Sequence, residues 1–463
     1  MTPLPADPLE SGGVAGFGHR LRAGDITAEE ATRAFLARIE ALGPRLQAFE
    51  HVAGDYALAM ARAVDSLRAA GTDLGPLMGV PVVFKDIIAV DGMPATAGSN
   101  LPVPDLMGPE GPFVKRLRAL GCVFIGKAKT VEFARGASGI NTVRGTPRNP
   151  WDAKVHRVPG GSSSGSAVAV AAGLCGFAMG SDTGGSVRTP SAFCGVLGQK
   201  TTKGRWPTAG MVPAAPSFDT FGPITRSATD AALVFAAIDG SMPLPKRPLR
   251  GLRLGRPTSH YFDGMDVAVE TCMTAALAAL KDAGAEIVPV DVADMVAARV
   301  SILQEFVTPE FVSVFGRERF LAEMDRMDPL TVARSLPALD IPADACMKTL
   351  WRQRRLSRVY AEKLREVDAW VTPTVPVVPP VVPESGDLDD ILALEANLGL
   401  NTHCISFCGL CATTQPIHQL GSDLPVGLQV VCAGGDDAKA LAIAGAIEGL
   451  LGAPAKADLT LFP

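Results

Sequence analysis

The sequence predicts an α/β fold, and three observations carry that prediction. GLRLGRP (251–257), VAVETCMTAALAALKDAG (267–284) and AEIVPVDV (285–292) alternate strand, helix and strand, the pattern of a parallel βαβ unit. Pro159 to Gly198 reads as a loop, a helix, a short strand and a second loop, with Gly/Ser-rich turns at Gly160–Ser166 and Gly180–Ser186. Hydrophobic residues make up 47% of the 463, enough for a large core.

The elements follow in chain order. Thr27-Ala-Glu-Glu30 is a capping box ahead of the periodic run ATRAFLARIEAL, which predicts a helix from about 28 to 42. A second helix is expected over 55–70, stopping at Gly71, so residues 1–72 form an N-terminal helical layer. GPLMGVPVVFKDII (75–88) then opens a core segment, 75–230. Its Val80, Val82, Val83, Phe84 and Ile87 predict a buried strand with Lys85 at its middle. Lysine is rarely buried without a partner. Lys85 either snorkels to water from a strand end or is held inside the protein. FVKRLRALG (113–121) is an amphipathic helix, and CVFIGKAKT, from Cys122, is a strand with a turn. Residues 295–367 carry a helical pattern, read as an insertion over about 295–370 that covers the sheet. WVTPTVPVVPPVVP (370–383) is a strand entering a Pro-rich loop, DLPVGLQVV (423–431) a late strand, and KALAIAGAIEGLLG the closing helix. With no internal repeat, 1–463 reads as a single domain.

Composition narrows the function. A net charge of −5 gives no reason to expect a nucleic-acid or membrane-surface partner. No apolar run reaches about 18 residues, so no membrane span is expected. The N-terminus, MTPLPADPLESGG, lacks the basic and apolar regions of a signal peptide. Nine cysteines, an odd number in a long chain, suggest reduced thiols and a cytoplasmic protein.

Several motifs compete for the chemistry. Gly161-Ser-Ser-Ser-Gly165 matches the G-x-S-x-G nucleophile elbow, but RVPGG stands where that motif needs a strand. No lysine follows a serine by three residues, and no G-K-[ST] follows the glycines, which removes S-x-x-K and P-loop readings. Cys404, Cys408 and Cys411 have the spacing C-x3-C-x2-C, with His403 adjoining. They could hold a metal or cluster, or be small hydrophobes in a strand and turn. The helix over 352–368 carries six basic residues diluted by Glu362, Glu366 and Asp368, and reads as a solvated face. What remains is serine, lysine and a Gly-rich turn. A serine hydroxyl needs a base to take its proton, and lysine serves only when burial lowers its pKa. Lys85 has the flanks for that burial. Thr183-Gly184-Gly185-Ser186 resembles a nest of backbone donors for an oxyanion.

GGSSSGSAVAVAAG followed by GSDTGGSVRTPSAFCGVLG closely resembles the signature of the amidase signature family. The resemblance continues in GVPVVFKD, in the GxxPxxxSFDTFGPITRS pattern from Gly210 to Ser227, in GLCATTQP and in LPVGLQVV, covering roughly residues 20–455. It implies a central mixed β-sheet covered on both faces by helices, and a Ser–cis-Ser–Lys triad. Matched motif by motif, the lysine is Lys85, the bridging serine on a cis peptide is Ser162, and the nucleophile is Ser186. Backbone amides of Thr183, Gly184, Gly185 and Ser186 would form the oxyanion hole. Ser163, Asp182 and Arg188 also match, as scaffolding of the loops.

The resemblance further implies an amidase that acts on a small carboxamide or carbamoyl compound, with no metal or organic cofactor and a homodimer as the expected assembly. The family also includes the glutaminase component of a tRNA-dependent amidotransferase. There, glutamine usually follows the arginine of GGSxR, where this chain has Thr189. QPIH near His418 also departs from the P-x-G turn of many relatives. A non-catalytic or metal-binding protein built on Cys404, Cys408 and Cys411 is the remote alternative.

Overall fold

In the computed structural model, which describes residues 4–245 and 247–462, eleven strands form one sheet. They are β1 (Phe49–Val52), β2 (Pro81–Lys85), β3 (Val123–Ala128), β4 (Phe177–Asp182), β5 (Leu197–Lys200) and β6 (Thr220–Thr225), followed by β7 (Arg253–Pro257), β8 (Glu286–Val290), β9 (Ala369–Pro373), β10 (Cys411–Pro416) and β11 (Gly427–Cys432). Their order across the sheet is β1-β3-β2-β4-β6-β5-β10-β11-β9-β7-β8. Parallel pairing joins β3-β2-β4 and β9-β7-β8, and the other neighbours are antiparallel. The sheet is therefore mixed. Every residue of β2, β4 and β9 is buried, as strands covered on both faces must be.

The two helices expected near the N-terminus form, after a further one at Gly13–Ala23. The capping box is realised: Thr27 accepts from the Glu30 amide and Glu30 from the Thr27 amide. That helix runs Ala28–Leu46, through Gly43 and Pro44, four residues beyond the expected stop. Gly54–Ala69 follows as the second helix, and Asp65 at its far end caps the first by accepting from the amides of Ala28 and Glu29. The βαβ reading is realised in β7, the helix Val267–Asp282 and β8. Residues 293–363 are helical, in pieces that include Ala293–Ile302, Thr308–Phe315, Pro329–Ser335 and Ala343–Lys363.

Two expectations are corrected. Lys85 is not at the middle of a strand but ends β2, because the chain turns at once: the Asp86 amide bonds the Ala128 carbonyl and the Ile88 amide returns to the Lys85 carbonyl. The stretch holding Cys404 and Cys408 is not strand and turn but the helix Leu400–Phe407 and its C-cap, and only Cys411 lies in a strand. All three thiols are buried. Cys404 and Cys411 donate to separate carbonyls, those of Met295 and Ala433. Among the described residues no group of three or more His, Cys, Asp or Glu could hold a metal ion. No helix among them is long and apolar enough to cross a membrane.

Candidate active site

β2 and β4 run parallel and adjacent, so they end on the same edge of the sheet, at Lys85 and Asp182. Open α/β sheets use that edge for ligands. The loop Pro159–Ser163 leads into the helix Ser164–Ala171, and the loop Thr183–Val187 into the helix Arg188–Cys194. One hydrogen bond, from the Ser163 amide to the Ser186 carbonyl at 3.1 Å, fastens the two loops together. The Gly161–Ser162 peptide is cis. The Gly161 N–H donates to the Ala137 carbonyl at 2.7 Å, and the Ser162 carbonyl accepts from the Thr130 hydroxyl and the Val131 amide.

Lys85 is wholly buried, and its Nζ lies 2.7 Å from Ser162 Oγ and 2.8 Å from Ser181 Oγ. It is held inside, not snorkelled to water. Burial pushes its pKa down to about 7, against the more distant pull of the Asp219 and Asp182 carboxylates. Near neutral pH the amine therefore exists in both protonation states. Ser186 is 9% exposed, and its hydroxyl has no hydrogen-bond partner among the described residues.

Asp182 and Arg188 form a fully buried ion pair at 3.0 Å. Burial alone would raise the Asp182 pKa, but the Arg188 charge and hydrogen bonds bring it down to about 2. Asp182 Oδ1 also accepts from the Gly185 amide at 2.8 Å, and Oδ2 from the Val187 amide. The Gly185 N–H, one of the four expected oxyanion donors, is thus engaged by the loop itself. The amides of Thr183, Gly184 and Ser186 have no partner among the described residues. Gly185 serves another purpose: its φ is +135°, and a Cβ there would meet Thr402 Oγ1 at 2.2 Å. Ser163 Oγ bonds the Ser181 backbone, its amide and carbonyl, from beneath.

The Amidase family model matches residues 30–441. The chain belongs to the amidase signature family. It is 37% identical to the 2-amino-5-chloromuconic acid deaminase of Comamonas testosteroni over 439 residues, 94% of this chain and 95% of the relative. It is 35% identical to the A-type subunit of the glutamyl-tRNA(Gln) amidotransferase of Chloroflexus aggregans, over 92% of this chain and 94% of that one. Among solved structures, a crystal structure of an amidase superposes with a TM-score of 0.86 at 29% identity, over 95% of this chain and all of that one. The native peptide amidase of Stenotrophomonas maltophilia superposes at 0.81 and 29%, over 98% of this chain and all of that one.

Three side chains of this amidase-family hydrolase were given no place beside Lys85 and Ser186 by the sequence. Ser181 is the second acceptor for Lys85 and sits one residue before the expected Asp182. Strand register does not mark it: Phe84 pairs with Met179, and alternation would set Ser181 on the Phe84 face, not that of Lys85. Asp219, inside the quoted SFDTFGP, accepts from the Thr183 hydroxyl at 2.5 Å and from the amides of Ala214 and Ala215. His403 packs so closely against the Thr183–Ser186 turn that a Cβ on Gly184 would meet its Cδ2 at 2.8 Å. Burial, with Arg299 and Arg188 nearby, pushes its pKa down to about 3, so it is a neutral wall. No local signal marks the last two.

Proposed function

We propose that this chain hydrolyses the C–N bond of a small carboxamide, or of a carbamoyl or urea-type compound, through an acyl-enzyme on Ser186. The observation that carries the proposal is the 2.7 Å contact from Lys85 Nζ to Ser162 Oγ, made by a buried lysine whose pKa is about 7. Neutral Lys85 takes the proton of Ser162, and Ser162 takes that of Ser186 as Ser186 Oγ bonds to the carbonyl carbon. The carbonyl oxygen becomes negative against the free amides of Thr183, Gly184 and Ser186. One such donor contributes roughly 2.7–4 kcal/mol. When the C–N bond breaks, its electrons leave with nitrogen, which receives the proton back through Ser162. Water, losing a proton to the same relay, then attacks the acyl carbon and releases the acid. Asp182, Arg188 and Ser163 hold the two loops in register without meeting the reacting atoms. The relay calls for no metal or organic cofactor.

The Comamonas relative, named as a deaminase of 2-amino-5-chloromuconic acid, supports ammonia as the leaving group and a small acid as the rest. Intact mass spectrometry after a fluorophosphonate probe tests the mechanism. Wild type is expected to gain a single adduct that is absent in Ser186→Ala, and an adduct of equal extent in the variant would refute the assignment. The likeness to the amidotransferase of Chloroflexus aggregans favours a second reading, a glutaminase component that works with partner proteins. It predicts no adduct and no turnover on the isolated chain, and activity once the partners are added.

A further inference from the structure

Arg188 is a fully buried guanidinium and Arg135 a partly buried one, but only Arg188 is satisfied. Every nitrogen of Arg188 is bonded, to Asp182, Gln429, Thr402 and Ser406. Arg135 makes one side-chain hydrogen bond, from Nη2 to the Thr308 hydroxyl at 3.1 Å. Its Nε is closed off from solvent with no partner, and no carboxylate pairs with it among the described residues. Closing off a polar nitrogen of a cation without a partner or counter-charge is costly, so chains rarely keep one without a use.

Arg135 stands at the rim of the site described above. It belongs to the loop 131–137, whose two ends both bond the Gly161–Ser162 segment: the Val131 amide reaches the Ser162 carbonyl, and the Ala137 carbonyl takes the Gly161 amide. Between those ends the backbone turns through two positive φ angles, +48° at Phe133 and +59° at Ala134, a conformation that non-glycine residues seldom adopt. Arg334 then secures the turn by donating to the Arg135 carbonyl while pairing with Glu395. The guanidinium lies 5.0 Å from the ring centre of Phe311, on the same helix as Thr308, so the helical insertion fixes it from one side. Burial and the charge of Arg334 press its pKa down to about 10, partly offset by Asp219. Asp219 is the same carboxylate that acts on Lys85 and holds Thr183, which puts Arg135 within electrostatic range of the oxyanion turn. Asp219 itself is occupied by Thr183, Ala214 and Ala215, and does not pair with Arg135.

We infer that Arg135 is the carboxylate anchor of the substrate site, so that the chain acts on half-amides of short dicarboxylic acids. The inference rests on the amide-hydrolase reading of Ser186. Only one of the five N–H groups of this planar guanidinium is given away, to Thr308, so it keeps donors for a carboxylate, and desolvation strengthens the pair. Ammonia carries no carboxylate, so the anion belongs to the acyl part. One half-amide and one water give one dicarboxylate and one ammonium ion.

The test compares kcat/KM for half-amides from malonamate to adipamate with that for neutral monoamides of equal length, in wild type, Arg135→Met and Arg135→Lys. Wild type is expected to prefer the charged member of the best pair by at least about 10-fold. Arg135→Met should collapse that ratio by about 10- to 100-fold, chiefly through KM for the half-amide. Arg135→Lys should keep part of it. A wild-type preference for the neutral amide, or an equal loss on both amides in Arg135→Met, overturns the inference. A second readout does not need turnover or an intact Arg135→Met active site: the melting temperature of Ser186→Ala with and without succinate, glutarate or adipate. Stabilisation by a dicarboxylate that disappears in Ser186→Ala/Arg135→Met, with the melting transition kept, supports the anchor, and no stabilisation opposes it. Fluorophosphonate labelling of wild type separates the failures. Labelled protein that cleaves no half-amide refutes the substrate class, whereas unlabelled protein moves the reading to the partner-dependent component and leaves the melting experiment to judge Arg135.

Discussion

Lys85 and Lys127 lie on neighbouring parallel strands one register step apart, since Phe84 pairs with Lys127 and Lys85 with Ala128. Both are completely buried, and burial lowers the pKa of both. Their partners differ. Lys127 Nζ sits 3.2 Å from the Asp86 carboxylate, which opposes its loss of charge, whereas Lys85 meets only two serine hydroxyls. The turn at the end of β2 explains the division. Lys85 is the last residue of the strand and Asp86 the first beyond it, its amide bonded to the Ala128 carbonyl, and the Asp86 carboxylate reaches Lys127 instead of Lys85. Asp86 is close in sequence to Lys85, yet it neutralises the neighbour's lysine. Burial alone therefore does not make a base. A buried lysine becomes one when the nearest carboxylate is turned away from it.

The largest effect expected from this contrast is at Lys85. Lys85→Met keeps the length and apolar stem but removes the amine that, in the proposed relay, accepts the Ser162 proton. Amide turnover should fall by at least about 10³-fold, the range for loss of general-base catalysis, while the melting temperature holds. Turnover within tenfold of wild type would mean that Lys85 is a structural lysine like its neighbour.

Lys127→Met should do the reverse. It leaves Asp86 buried with no cation, and breaking such a pair costs about 3–5 kcal/mol. Chemical denaturation should record that loss, while turnover per folded molecule stays within a few-fold of wild type. Replacing both partners, Lys127→Met with Asp86→Asn, should recover much of the stability, because no lone charge is then left inside. If Lys127→Met instead abolished turnover in a folded protein, the proton path would have to extend through β3.

The same contrast explains what the sequence could and could not reveal. Gly160–Ser166 and Gly180–Ser186 are contiguous, so their glycines and hydroxyls announce two loops before any fold is known. Lys85 was visible as a cation among valines, but its lowered pKa depends on Asp86 facing Lys127 instead, and that follows from the pairing of β2 with β3, two strands far apart along the chain. β6 was not expected, because TFGPIT carries Gly222 and Pro223 in a strand interior. The reason lies across the sheet: a Cβ on Gly222 would meet the Gln199 carbonyl oxygen at 2.3 Å. Arg135 and Asp219 likewise take their meaning from distant parts of the chain, Thr308 for one and, for the other, Lys85.

The smallest expected effect concerns how finely Lys85 is set. With a neutral amine as the base, kcat/KM should rise with pH along a limb centred at about 7 and level off above it, falling about tenfold for each pH unit further below. Asp219 attracts the protonated form and holds that pKa up. Asp219→Asn keeps an oxygen that can accept from Thr183 but removes the charge, so Lys85 should lose its proton more readily. The limb should then move to lower pH, by less than about one unit because the two groups act at a distance. The sign decides the matter. A limb that moves to higher pH, or stays in place while the plateau falls, would mean that Asp219 works through the Thr183 loop and not through the charge on Lys85. In that case Ser181, the other hydroxyl on Lys85, would be the next residue to vary, since Ser181→Ala would leave the amine with one acceptor fewer for its charged form and displace the limb in the same acid direction.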